Sequence, residues 1–280
     1  PGVEFRRIDD RDYVRGLVHC GSGWKDPVCG HQISIQRAKD IQAVIDPHRK
    51  AGGDVVLGTF TLAHNQGDPL APMLKTISKA FHLTTSGRAW KKVSDLVGAR
   101  IGVVGWVRSA EITVGENGWH PHLHVLFFID RILTEDEMKA LEQFFYERWS
   151  DAIEAAGYGR PSREHGVRVS HGESAGKYVA LLSKQNLALE TVSSGTKQGR
   201  QGNRSTLQLQ YDWMVHQRDS DKQLIKEYQL ATYRMNQLTW SRGKNDLRKK
   251  YRVAEQLDFD LVQDPIENTG QVVVRMHSSE

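Results

Sequence analysis

The chain has 280 residues, with 38 lysines and arginines against 34 aspartates and glutamates. This length fits one large domain, or one domain with appended segments. The net charge of +4 permits nucleic-acid binding without indicating it, because many proteins of similar charge bind no nucleic acid. No apolar run reaches membrane-spanning length and no signal peptide precedes the chain, so we expect a cytoplasmic protein with no membrane partner.

Apolar spacing predicts an alternation of helices and strands. We expect a helix over residues 33–50, a strand over 54–63, a largely helical stretch over 72–97 broken near 84–87, and a strand over 103–114. Thr134 and Glu137 have the spacing of a capping box, which predicts that a helix begins there. The later elements are a strand at 165–170, helices at 174–185 and 219–238, a polar loop at 191–206 and a strand at 272–276.

The most informative segment is 118–128, where histidines occupy every second position before an apolar run. Side chains two apart on a strand share a face, so His122 and His124 project together while Leu123 and Val125 line the opposite face. A divalent metal could lie between the two imidazoles. The alternative is an ordinary pair of hydrogen-bonded histidines near a strand end.

The Asn-Gly pair at 117–118 predicts a two-residue hairpin turn between this strand and the one before it. Pairing across that turn places Thr113 opposite His122 and Glu111 opposite His124. Directly opposed residues share a face, so Glu111 joins the two histidines. Two imidazoles and a carboxylate form an open site that suits Mn²⁺ or Mg²⁺ when phosphate oxygens and waters complete the coordination, although Zn²⁺ or Fe²⁺ fits these ligands equally well.

At residues 119–126, Trp-His-Pro-His-Leu-His-Val-Leu follows a Ser-x-Glu-x-Thr strand. This arrangement resembles the His-hydrophobic-His motif of HUH endonucleases, most closely the rolling-circle replication initiators of small plasmids. Residues 56–62 resemble the first core strand of that family, 176–180 its tyrosine helix and 237–243 its C-terminal signature. The similarity, over most of residues 17–245, implies an α+β fold. Its central antiparallel sheet would be RRM-like or ferredoxin-like, with helices packed on one face and appended N- and C-terminal elements.

The resemblance also implies a metal-assisted nicking chemistry. Tyr178 would attack the scissile phosphate of DNA, leaving a 5′-phosphotyrosine and a free 3′-hydroxyl that primes replication. Lys177 could lower the proton affinity of the phenol or hold a phosphate oxygen. Initiators of this group use a glutamate one helical turn before the tyrosine to end the reaction; Ser174 stands there, so we expect Glu173 to serve, or else to cap the helix. The implied metal ligands are His122, His124 and Glu111.

The N-terminal segment is similar to the zinc-ribbon-like segment of these initiators, although Asp26 stands where a cysteine is usual. A carboxylate can still bind Zn²⁺. The candidate zinc ligands are Cys20, Asp26, Cys29 and His31, with His19 in addition. The alternative is a metal-free turn packed under Trp24.

Two basic tracts suit a DNA backbone, with a solvated surface as the alternative for each. The candidate DNA-binding residues are Lys197, Arg200 and Arg204 in a Gly-rich loop and Arg242 in the second tract. We therefore expect three segments: residues 1–50, with the zinc-ribbon-like part and a helix; residues 51–190, the HUH nicking core; and residues 191–280, a basic loop and a helical region that binds DNA.

The expected partners are origin DNA, preferably single-stranded or in a hairpin, together with a host helicase and a DNA polymerase. A separate helicase is expected because the chain has no Gly-x-x-x-x-Gly-Lys-Ser/Thr motif. A homodimer is left open. Three other functions are also left open: an HUH transposase or relaxase, a non-catalytic sequence-specific DNA-binding protein with a structural metal, and a metal hydrolase of small phosphoesters.

Overall fold

A computed structural model of the chain describes residues 3–8, 10–16, 19–91, 101–171, 203–262 and 271–276. The strands are β1 (Val3–Ile8), β2 (Arg11–Arg15), β3 (Asp54–Thr61), β4 (Val103–Gly115), β5 (Gly118–Ile129), β6 (Val167–Ser170), β7 (Arg204–Ser205), β8 (Thr239–Trp240) and β9 (Gln271–Met276). The α-helices are α1 (Pro27–Lys50), α2 (Leu70–Thr84), α3 (Gly87–Lys91), α4 (Glu135–Glu154), α5 (Thr206–His216), α6 (Asp219–Ala231) and α7 (Leu247–Tyr251). Within these ranges every helix is too short or too polar to cross a lipid bilayer.

Six strands form one antiparallel sheet in the order β6-β3-β5-β4-β7, and β8 also pairs with β4. The α+β class and its central antiparallel sheet are therefore confirmed. A separate three-stranded sheet has the order β2-β1-β9. The predicted strand at 272–276 is present as β9, whereas β1 and β2 are missed, because these short segments contain few apolar residues among many charged ones.

Side-chain alternation gives the six-stranded sheet two different faces. One face forms a large apolar core with α2 and α4, in which Phe60, Phe127 and Trp149 are fully buried. The other face is apolar only at one end, where Leu57 and Phe128 pack against α1 and the segment around β8. The central helices thus cover one face, and appended elements cover part of the other, as the resemblance implies.

The large apolar core draws on all three expected segments, because it includes Trp24 as well as Tyr228 of α6. Trp24 is tied to the C-terminal part by its indole Nε1, which donates a hydrogen bond of 2.8 Å to the carbonyl oxygen of Met235. The division into three segments stays a prediction.

Helix α4 has the predicted capping box, which fixes where it begins. The Thr134 hydroxyl accepts a hydrogen bond from the backbone N–H of Glu137, and the Glu137 carboxylate accepts one of 2.8 Å from the backbone N–H of Thr134. Farther along the helix, the indole of Trp149 donates a bond of 2.8 Å to the carbonyl oxygen of Thr61. This bond attaches α4 to the end of β3.

Three predicted boundaries are wrong for local reasons. Helix α1 begins at residue 27 rather than 33, because the carboxylate of Asp26 accepts two backbone N–H bonds of 2.8 Å from its first turn. The loop predicted over residues 191–206 does not reach 206. Residues 204–205 form β7, and Thr206 begins α5 with Ser205 as its N-cap. The helix expected to reach 238 ends at Ala231, and Arg234 beyond it takes a left-handed φ of 57°.

Candidate metal centre

The hairpin of β4 and β5 brings the predicted metal ligands to one face of the sheet. Glu111 lies opposite His122 rather than His124, so the expected register is wrong by two residues. A shift of two residues preserves the face on which each side chain lies. Glu111 therefore remains beside both histidines, on the face not covered by α2 and α4.

The turn explains the difference in register. Gly118 has a φ of 84°, whereas Asn117 has no positive φ, so a turn with left-handed residues at both 117 and 118 does not form. The two-residue loop is instead 116–117, and Gly115 pairs with Gly118. Moving the loop by one residue changes the cross-strand pairing by two.

Glu111 contacts His124 diagonally across the hairpin. Its Oε2 lies 2.7 Å from Nε2 of His124, a reach that diagonal neighbours allow. Burial tends to raise the pKa of Glu111, but the hydrogen bond from His124 and the attraction of His124 and His122 outweigh burial, so the pKa lies below its ordinary value. The site thus holds an ionised carboxylate next to an imidazole nitrogen.

Two threonines of β3 contact the other ring nitrogen of each histidine. Thr59 Oγ1 lies 3.2 Å from Nδ1 of His124, and Thr61 Oγ1 lies 3.2 Å from Nδ1 of His122. The same residues are direct cross-strand partners in the pairing of β3 with β5. A hydroxyl can donate or accept, so it satisfies Nδ1 in either imidazole tautomer.

A further imidazole pair extends this row of histidines. His64 Nε2 lies 2.7 Å from Nδ1 of His120. The His120 ring stacks on His122 with centroids 6.4 Å apart, and His122 stacks on His124 at 6.5 Å. Sequence reasoning missed three residues contributed by β3 and the loop after it: Thr59, Thr61 and His64. The pairing of β3 with β5 is long-range, so no local pattern in the sequence indicates it.

Burial keeps several of these imidazoles neutral. Burial lowers the pKa of His122 to about 4, against the opposing attraction of Glu111. It also lowers the pKa values of His64 and His120, and at His120 the neighbouring charge of His64 adds to the effect. Neutral imidazole is the form that binds a metal, so the protonation state suits a metal centre at neutral pH.

The donor set of two imidazoles and one carboxylate fits a divalent cation in its chemistry. The rings of His122 and His124 lie nearly parallel, 12° apart in plane, with centroids separated by 6.5 Å. Both rings must therefore tilt toward Glu111 to share one ion. The ligand roles of these three residues stay predictions.

The N-terminal segment forms a second candidate cluster. One ligand atom each from Cys20, Asp26 and Cys29 lies within 4.8 Å of the others, and His19 Nδ1 lies 3.9 Å from Sγ of Cys29. His31 does not belong to this group. A small cavity of about 40 Å³ lies between this segment and the β4 strand, lined on one side by Asp26 and on the other by Glu111.

The predicted catalytic residues and two of the DNA-binding residues lie outside the described residues: Tyr178, Glu173, Lys177, Lys197 and Arg200. Arg204 is described, and its Nη1 donates hydrogen bonds of 3.1 Å to Asp212 and 2.9 Å to Asp221. Arg242 is exposed, just after β8. Arg242 thus lies at the surface, and Arg204 is part of an ion-pair network.

Comparisons with known proteins agree with the motifs. Residues 26–157 match a family model described as Replication protein. A segment of 150 residues, 45% of the chain, is 34% identical to a Protein rep of Streptomyces lividans and covers 33% of it. A 150-residue segment, 46% of the chain, is 30% identical to a Neomycin resistance protein of Streptomyces cyanogenus and covers 34% of it.

A Protein rep of Lentilactobacillus hilgardii is 23% identical over 241 residues, which are 84% of the chain and 67% of that relative. The chain spans about a third of the length of the two Streptomyces relatives. No solved structure is significantly similar to it.

The sheet and its histidine face define an α+β protein with a candidate metal centre on the sheet face opposite α2 and α4. The resemblance to plasmid rolling-circle replication initiators is confirmed by the comparisons, and residues 26–157 carry the family match.

Proposed function

We propose that this chain is a rolling-circle replication initiator that nicks single-stranded or hairpin origin DNA and rejoins strands at termination. The observation that carries the proposal is the convergence of Glu111, His122 and His124 on one sheet face, within a segment that matches the Replication protein family.

Glu111, His122 and His124 would hold Mn²⁺ or Mg²⁺, with Thr59 and Thr61 orienting the imidazoles. The bound ion would polarise the scissile phosphate and offset the negative charge that develops on it. Burial favours the neutral, metal-binding form of the His122 imidazole, and the lowered pKa of Glu111 keeps its carboxylate ionised.

Tyr178 would supply the nucleophile. Its phenolic oxygen forms a bond to phosphorus, the bond from phosphorus to the 3′-oxygen breaks, and that oxygen leaves as a hydroxyl after taking up a proton. The phosphodiester energy is retained in the phosphotyrosine, so nicking and rejoining need no ATP. Lys177 would assist ionisation of the phenol, and Glu173 would activate the group that ends the reaction.

The test is a covalent-adduct assay. Purified chain is incubated with Mn²⁺ and labelled single-stranded oligonucleotides that tile the replicon carrying its gene, and the products are separated on a denaturing gel. A protein–DNA adduct is expected for the unchanged chain and is lost in Tyr178→Phe, which removes only the phenolic oxygen. A full-strength adduct in Tyr178→Phe would transfer the role to another tyrosine.

The same assay separates the other functions. Loss of the adduct with a chelator, and in His122→Ala, His124→Ala and Glu111→Ala, is expected if these residues hold the required metal. Oligonucleotide binding without any adduct would indicate a non-catalytic DNA-binding protein. Cleavage of small phosphoesters without an adduct would indicate a hydrolase.

We also propose that Cys20, Asp26 and Cys29 hold a structural Zn²⁺, with His19 completing the set. Support comes from their grouped ligand atoms and from the exposure of Cys20 beside the buried Cys29. About one zinc per chain is expected by elemental analysis and should be lost in Cys29→Ser. His31→Gln is the matched control and should retain zinc, because that imidazole lies outside the group; equal loss in this variant would contradict the assignment.

DNA would be contacted by Lys197, Arg200 and Arg242, while Arg204 is already held by Asp212 and Asp221. The further partners would be a host helicase and a DNA polymerase, since the chain has no phosphate-binding loop for nucleotide-driven unwinding. Whether two copies act as a homodimer would be measured by analytical ultracentrifugation with and without DNA.

A further inference from the structure

One row of residues crosses the six-stranded sheet at the candidate metal centre. In this row Arg168 of β6 pairs with Thr59 of β3, and Thr59 pairs in turn with His124 of β5. Paired residues on neighbouring strands project to the same face of a sheet. Arg168 therefore lies on the same face as the histidines, two strands away from His124.

The neighbours of Arg168 confirm its direction. Val167 is fully buried in the large apolar core, and Val169 packs against the same core on the face covered by α2 and α4. Alternation on β6 then directs the Arg168 side chain to the opposite face, where it is exposed. Two inter-strand spacings of about 4.8 Å place its Cα roughly 10 Å from that of His124.

Arg168 also differs from nearby arginines in its ion pairing. Arg160 forms ion pairs with three carboxylates and Arg163 with Glu142, whereas no carboxylate pairs with Arg168 among the described residues. Of the described strand residues on the histidine face of this sheet, Arg168 is the one lysine or arginine. Glu111 makes the rest of that face unfavourable to a polyanion unless a cation offsets it.

We propose that Arg168 binds a backbone phosphate of the substrate strand, next to the phosphate held at the histidines. The proposal rests on the proposed nicking function and specifies the path of the DNA strand, which crosses the sheet from β5 toward β6. A guanidinium suits this role, because its planar donors bind phosphate oxygens in pairs.

The test measures the salt dependence of DNA binding. A fluorescein-labelled, mixed-sequence single-stranded oligonucleotide is titrated with the full chain in Mn²⁺ at several NaCl concentrations. The full chain carries Tyr178→Phe in every arm, which prevents cleavage while the cation offsets Glu111. Each phosphate contact to single-stranded DNA contributes a slope of about 0.7 in log affinity against log salt. Arg168→Gln should reduce the slope by about that amount and weaken binding roughly threefold to tenfold near 0.1 M salt. Arg168→Lys should keep most of the slope.

Lys139→Gln is the matched control, because it removes one exposed positive charge on α4, which covers the opposite face. Its slope should equal that of the unchanged chain. If the unchanged chain binds DNA and Arg168→Gln keeps its full slope, the inference fails while the nicking proposal stands. An equal loss in Lys139→Gln would show a general charge effect and also overturn it. If the unchanged chain binds no single-stranded DNA, both proposals fail.

Discussion

Replacing Thr59 or Thr61 by valine tests whether β3 positions the metal-binding imidazoles. Valine keeps the shape of threonine and removes only the hydroxyl that lies 3.2 Å from Nδ1 of His124 or His122. Loss of such a partner typically weakens metal binding about 10- to 100-fold. The Mn²⁺ dissociation constant of each variant should rise by that factor, equivalent to about 1.4–2.7 kcal/mol.

The stability of the fold should change less than the metal affinity. One hydrogen bond contributes about 1 kcal/mol, so the free energy of unfolding in urea without metal should fall by about that amount in each variant. Mn²⁺ affinity is measured by isothermal titration calorimetry, and long-range ¹⁵N NMR spectra report the imidazole tautomers. The tautomer populations of His124 should shift in Thr59→Val, and those of His122 in Thr61→Val.

Thr113→Val provides the matched control on the same face. Thr113 lies opposite His120, and no hydrogen bond joins it to an imidazole among the described residues. Its metal affinity should equal that of the unchanged chain. Unchanged Mn²⁺ affinity and tautomers in Thr59→Val would refute the positioning role, as would an equal loss in Thr113→Val.

Two further predictions concern the scaffold. Glu137→Gln weakens the capping box and the bond to Arg131, and should lower the free energy of unfolding by about 1 kcal/mol at pH 7. Asp136→Asn, at an exposed position of the same turn, should change it by less than about 0.5 kcal/mol. The bond to Arg131 lowers the pKa of Glu137 to about 2. The stability that Glu137 contributes is therefore complete above its unfolded pKa, near 4.5, and is lost as pH falls toward 2. In urea titrations, a stability difference between the unchanged chain and Glu137→Gln that stays constant over this range would contradict the assignment. Trp149→Phe removes the indole bond to Thr61 and part of a fully buried ring, and should cost about 2–3 kcal/mol in the same assay. A cost below about 1 kcal/mol would show that this bond does not hold the end of β3.

The capping box of α4 could be predicted because its signal is local, whereas the fold class was predicted from the family resemblance. Alternation at His122 and His124 specifies a shared face whatever the register, and Glu111 stays on that face because the error of two residues preserves it. The register itself required the backbone conformation of Gly118, since Asn-Gly at 117–118 is compatible with more than one short turn.

The first residue of α1 could have been predicted from the sequence, but the family resemblance suggested a different role for Asp26. Asp26 followed by Pro27 is a common beginning of a helix, with an N-cap carboxylate and a proline at the first helical position. Because Asp26 was interpreted only as a replacement for a metal-binding cysteine, its role as the N-cap was not predicted. The structure shows that this carboxylate caps the helix and also lies beside Cys20 and Cys29.

The remaining features depend on contacts between residues distant in sequence, which no short-range pattern specifies. Thr59 meets His124 only because β3 pairs with β5 across 65 residues, and Arg168 joins the same row because β6 pairs with the other edge of β3. Arg204 is held by Asp221 for the same kind of reason. The sequence alone determined which residue types lie on each face, because alternation is a property of the backbone. The tertiary structure decided which of them meet, because strand order and register are set by the packing of the whole sheet against its core.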